Sequence, residues 1–120
     1  MHPLILCIHM DKERSLRLSL AAMSRGIRAR VTDPAQEGQT LGALCGLDDA
    51  LPHPPHVLVQ EEMLVLAFFD DPGLEDILNA LRASGLPPVK LKAVLTETNR
   101  QWNCGRLYRE LKSEQAALGG

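Results

Sequence analysis

The sequence predicts a mixed α/β domain, a ferredoxin-like split β-α-β-β-α-β unit with a helix added at its C-terminus. Three observations lead there. Two short runs, Leu4–Met10 and Met63–Phe69, are apolar on successive residues, as strands buried on both faces are. Two further stretches, Ile27–Val31 and Val89–Leu95, alternate apolar residues with Arg or Lys, as charged edge strands do. Each apolar run is followed by an aspartate and then by a helical stretch that ends at a glycine.

At 120 residues and 13.2 kDa the chain is one domain, 1–120. It divides into a first βαβ unit (1–32), an irregular connector (33–62), a second βαβ unit (63–96), and a polar corner with a C-terminal helix (97–120). An apolar fraction of 45% and a charged fraction of 23% suit a folded soluble protein. A net charge of −2 and 3% aromatic residues argue against nucleic acid, which calls for a basic surface or stacking rings. The N-terminal run lacks a basic leader and a cleavage site, and no apolar stretch approaches the ~20 residues of a membrane span. Three widely spaced cysteines, Cys7, Cys45 and Cys104, suit reduced thiols in a cytoplasm.

Taken in order, Leu4–Met10 is a buried strand and Asp11 caps the helix after it. Leu16, Leu20 and Met23 recur at i, i+4 and i+7, which assigns them the apolar face, and Gly26 ends the helix. Ile27, Ala29 and Val31 then alternate with Arg28, Arg30 and Thr32. In the connector, Thr40–Cys45 reads as a short helix stopped by Gly46, and Val57–Val59 as a short hairpin arm. Pro52-His53-Pro54-Pro55-His56 permits neither helix nor central strand.

Met63–Phe69 repeats the first strand. Asp70-Asp71-Pro72 opens a helix with an acidic cap and an early proline. Leu74, Ile77, Leu78 and Leu81 form its buried face, and Gly85 its stop. Pro87-Pro88 leads into Val89–Leu95. After the corner Thr96-Glu97-Thr98-Asn99 comes a helix over Cys104–Leu118, with Leu107, Leu111 and Leu118 on one stripe.

The two units share their punctuation. Asp11 to Gly26 and Asp70 to Gly85 are equally spaced, 26 − 11 and 85 − 70 both being 15. At that offset of 59, Leu4 falls on Met63, Cys7 on Leu66 and Ile27 on Leu86, a tandem βαβ pseudo-repeat. The apolar strands belong in the middle of the sheet and the charged ones at its edges, which the split unit satisfies. A doubly wound parallel sheet is the rival and calls for more strands. In a split unit both crossover helices share one face, so the apolar central strands need a second cover. The last helix is expected to supply part of it, with the connector and a second copy of the chain as the other candidates. A few hundred Å² at ~25 cal/mol per Å² is a sufficient driving force.

No catalytic or metal constellation stands out. His53 and His56, with Cys45, Asp48 and Asp49 nearby, lack the paired spacing of a zinc site. Cys7 with His9, or Cys104 at a helix start, is the raw material of a thiol enzyme. No phosphate-binding glycine motif occurs and no cofactor is expected. Arg25, Arg28, Arg30, Lys90 and Lys92 form a candidate basic surface, more simply read as edge protection. The candidate ligand site is Lys92, Thr96, Thr98, Asn99 and Trp102, where a strand end gathers polar groups beside the single tryptophan. The simpler reading of that corner is a capped turn.

Leu86-Pro87-Pro88, Lys90-Leu91-Lys92-Ala93-Val94-Leu95-Thr96, Thr98-Asn99, Trp102, Leu107 and Leu111 resemble a family of small bacterial proteins known as domain of unknown function 3783. The resemblance runs from Met63 to Glu114. It implies a compact, cytoplasmic, bacterial α/β domain with no agreed activity. The expectation is therefore a non-enzymatic binding or regulatory module acting through self-association, as a homodimer, or through a small ligand. A thiol-dependent enzyme and, less favoured, a nucleic-acid binder are the alternatives.

Overall fold

β1 (Leu4–Ile8) and β3 (Met63–Ala67) are five-residue strands with every side chain buried. They pair antiparallel at the centre of a four-stranded sheet in the computed structural model, which describes residues 1–119. β2 (Arg28–Val31) lies parallel to β1 and β4 (Leu91–Val94) parallel to β3, in the order β2-β1-β3-β4. The apolar strands are central and the charged ones are edges, as their polarity predicts.

The split arrangement does not form. It would place β3 between β1 and β2, but β1 bonds β2 directly. Each half instead closes as a βαβ unit with β1 or β3 as its inner strand. Strand polarity could not separate the two topologies, because both put β1 and β3 in the middle.

The repeat is built into the central pairing. Leu6 faces Val65, and 65 − 6 is again 59, so the strand pair is centred on equivalent residues. The chain turns after each central strand through a non-glycine residue with positive φ, His9 at 56° and Phe68 at 67°, themselves 59 apart. Such a conformation is uncommon outside glycine. Its recurrence at matched sites means that both strand-to-helix junctions make the same bend.

α1 (Lys12–Met23) and α3 (Asp71–Ala83) are capped by Asp11 and Asp70, whose carboxylates accept from the backbone N–H groups of Arg14 and Gly73. Gly26 and Gly85 follow the helices with φ of 71° and 81°, a left-handed bend that glycine adopts without strain. Both helices lie on one face of the sheet, over a core that includes Ile5, Cys7, Leu64, Leu66, Leu18 and Ile77. In α1 the apolar periodicity misassigns the buried face. Leu16, Leu20 and Met23 are 61%, 56% and 67% exposed, and Ser15, Leu18 and Ala22 face the sheet. Ser15 is tolerated there because its hydroxyl donates to the Asp11 carbonyl at 2.7 Å, and small Ser15 and Ala22 let α1 sit close.

The opposite face, carrying Leu4, Leu6, Ile8, Met63 and Val65, is covered by α4 (Cys104–Ala117) through Leu107, Tyr108 and Leu111. The connector shares the work through α2 (Leu41–Leu44), Cys45 and Val59. Leu118 does not continue the α4 stripe; it lies beyond the helix and is exposed. Val57–Val59 forms no hairpin arm, since those residues lie outside any strand, and Val59 packs its side chain into the core.

Few connector elements are regular, but the segment is pinned. The Gln39 amide makes two 2.7 Å bonds to the Leu51 backbone. Asp48 pairs with Arg100 at 2.7 Å, and Cys104 N–H donates to the Glu37 carbonyl. A Cβ on Gly38 would strike the Pro55 carbonyl, and one on Gly42 the Asp48 carboxylate. Glu61 anchors the far end, accepting from the Tyr108 hydroxyl at 2.8 Å and lying 2.9 Å from Lys112 Nζ. Among the described residues, no helix is long and apolar enough to cross a membrane.

Candidate functional site

The second βαβ unit is four residues longer than the first between its paired strands. Leu4 pairs with Arg28 and Met63 with Leu91, separations of 28 − 4, or 24, and 91 − 63, or 28. The extra residues are Pro87-Pro88-Val89-Lys90, inserted where the first unit passes straight from Ile27 to Arg28. Two successive prolines cannot donate to a neighbouring strand, so this segment stands off the sheet before β4 begins. A cleft of about 270 Å³ opens between it, α3 and α1.

Leu64, Leu78, Leu81, Leu86 and Val89 make much of its wall, and Arg14, Arg82 and Lys92 its charged members, with no carboxylate among the lining residues. The three cations are not equivalent. Arg14 grips Glu62 with its Nε and one terminal nitrogen, at 2.7–2.9 Å, and donates to the Pro87 carbonyl at 2.6 Å. That fork bonds a helix to the inserted segment, and its charge is already met. Lys92 Nζ donates only to the neutral Val89 carbonyl, at 2.8 Å, and Arg82 only to the Asn79 side-chain amide, at 2.6 Å. Among the described residues neither pairs with a carboxylate.

The predicted ligand set divides. Lys92 lines this cleft, whereas Thr96, Thr98, Asn99 and Trp102 lie beyond the end of β4. Asn99 is buried and saturated. Its amide donates to the Val94 carbonyl and accepts from Thr96 N–H, and its own N–H donates to the Thr96 hydroxyl. This reciprocal pair is the capped turn that the simpler reading describes. The Thr98 side chain makes no capping bond. Trp102 is partly buried against the α4 face, with the Arg106 guanidinium 4.7 Å from its ring centroid. Its carbonyl accepts from Leu41 N–H, which ties the corner to the connector.

The sequence held no periodic signal for Arg14 or Arg82 as site residues. Their one visible trace is the insertion, found by laying the repeat's second half over its first.

All three thiols are buried. Burial pushes Cys7 up to about 12, Cys45 to about 11 and Cys104 to about 12, with the charge of Glu62 adding to the first and Glu37 to the third. Cys7 and His9 do not meet as a pair. Cys7 packs in the α1–α3 core, while the positive φ of His9 turns its ring to Glu37, Nδ1 to Oε2 3.2 Å. Glu37 is 7% exposed in its side chain, and among the described residues the buried Thr32 hydroxyl has no hydrogen-bond partner. Among the described residues no three His, Cys, Asp or Glu side chains come together to hold a metal ion. The arginines of β2 and lysines near β4 sit on opposite edges of the sheet and do not merge into one basic surface.

No curated protein and no solved structure matches the chain. Residues 62–118, which carry the inserted segment, the cleft's lysine, the Thr96–Trp102 corner and α4, match the family described as Domain of unknown function (DUF3783).

Proposed function

We propose that the protein is a small non-enzymatic binding module that takes a small ligand in the cleft between α1, α3 and the Pro87–Lys90 segment. The observation that carries the reading is a concave apolar surface edged by two cations that, among the described residues, no carboxylate satisfies. Binding sites combine an apolar wall with a few placed polar groups in this way. The protonated thiols weigh against a thiol-dependent enzyme, and the separation of the basic edges weighs against nucleic acid. Free cysteines suit a reducing bacterial cytoplasm. Amide-resolved NMR titration with a set of small aliphatic and aromatic probes tests the site. Shifts concentrated at Leu78, Leu81, Leu86 and Lys92 are expected. Shifts confined to Thr96–Trp102 would move the ligand to the corner, and no shift at millimolar probe would remove the reading.

Self-association is a second reading, favoured by the exposed Leu16, Leu20 and Met23 on α1. The partner is a second copy, since one such stripe can meet itself across a two-fold axis. Three side chains fall well short of the ~800 Å² per partner of a stable interface, so the association is weak and concentration-dependent. Light scattering from micromolar to millimolar protein should show mass rising with concentration. A constant monomer mass would exclude it.

A further inference from the structure

We propose that the ligand of the cleft is a small amphiphilic anion, an aliphatic body ending in a carboxylate. This rests on the assignment of the cleft as the binding site and adds the chemical class. Size is the first constraint. About 270 Å³ is roughly nine water volumes at ~30 Å³ each, a space that suits a small ligand body.

Shape and polarity are the second. Leu64, Leu78, Leu81, Leu86 and Val89 offer contact to a hydrocarbon and no hydrogen-bonding side chain, so the buried part of the ligand is apolar.

Charge is the third. Lys92 and Arg82 line the same cleft with most of their donors unspent, since each makes one bond to a neutral acceptor. A carboxylate would convert those into charge-assisted bonds, which are about twice as strong as neutral ones. A cationic head group would meet Lys92 and Arg82, both without a carboxylate partner among the described residues, and no carboxylate in the lining. Arg14, held by Glu62 and by the Pro87 carbonyl, positions the inserted wall and is not needed for the charge.

The test compares octanoate, n-octanol and octylammonium, which share a chain and differ in head group, by amide-resolved NMR titration of the full chain. Octanoate is expected to bind at the cleft at least tenfold more tightly than octanol, with octylammonium weakest. Lys92→Glu and Arg82→Glu lie on exposed positions and should keep the fold, which the same spectra report. Each should erase the preference for octanoate while leaving octanol binding in place. Octanol binding as tightly as octanoate, or unchanged preference in both variants, would overturn the anion and leave the cleft standing. Failure of all three probes would overturn the cleft itself.

Discussion

In the first half of the chain Ile27 runs straight into Arg28 and β2, whereas its counterpart Leu86 is followed by Pro87, Pro88, Val89 and Lys90 before β4. The frames are otherwise alike: the same cap, the same left-handed bend after the inner strand, the same glycine stop. What each half leaves open is different. The second opens a basic, apolar-walled cleft. The first has a hollow at the related place, where Ile27, Gly73 and Ile77 stand for Leu86, Arg14 and Leu18, and Asp70 and Asp76 supply its charge. The halves differ again on their helices. Leu16, Leu20 and Met23 of α1 are matched in α3 by Glu75, Asn79 and Arg82. A duplicated frame fixes the backbone only; four inserted residues and a few surface substitutions are enough to separate an apolar flank from a charged one.

Replacing a residue at the shared centre should break both halves together. Leu6→Ala is expected to cost about 2–5 kcal/mol, because Leu6 is fully buried in the central pair. Urea unfolding followed by far-UV circular dichroism checks it. A loss under ~1 kcal/mol would mean that the halves do not share one core.

On α1 the comparison can be made between residues two apart. Leu18→Ala should cost about 2–5 kcal/mol and Leu20→Ala no more than ~0.5, since the first faces the sheet and the second faces solvent. Equal losses would show that the helix is rotated about its axis. The triple change Leu16→Glu, Leu20→Asn and Met23→Arg makes the flank of α1 match that of α3. It should leave the unfolding midpoint nearly unchanged and abolish any concentration-dependent mass.

Asn99→Ala isolates the corner in the second half. The buried amide's partners, Val94 carbonyl and Thr96 N–H, would be left unpaired, a cost of about 1–3 kcal/mol by the same measurement. If octanoate binding at the cleft is untouched by it, the corner is structural.

A further effect is on pH dependence. The thiols ionise near 9.0 when unfolded but are held up to about 11–12 by burial in the fold. Unfolding then releases protons above pH 9. The thiol contribution to stability is complete below pH 9 and is lost as pH rises toward 11–12. Unfolding midpoints at pH 8 and pH 10 should fall in that direction. At pH 7 all three thiols should label slowly until denaturant is added; rapid labelling of any one would reopen the thiol chemistry.

Much of the build could be read along the chain, because local rules govern it. Continuous apolar runs, aspartate caps and glycine stops located β1, β3, α1 and α3, and alternation with Arg or Lys marked β2 and β4 as edges. Thr40 and Gly46 bounded α2 for the same reason. The corner was legible as a turn capped by Thr98 or Asn99, but the structure gives that role to Asn99 with Thr96 and leaves Thr98 without a capping bond. Failures arose where two arrangements satisfy one pattern. Leu16, Leu20 and Met23 have helical spacing, but so do Ser15, Leu18 and Ala22, and closeness of approach to the sheet selected the smaller set. Strand polarity placed β1 and β3 centrally without saying which edge each would take. The cleft was out of reach for a further reason: Arg14 and Lys92 are far apart in the chain and meet only because α1 and β4 pack beside the same inserted segment. Local sequence thus determined the elements and their caps, through hydrogen bonds and side chains a few residues apart. Topology, the true face of α1 and the gathering of Arg14, Arg82 and Lys92 around one cleft were decided by tertiary packing, where volume and charge are matched between segments that the chain does not join.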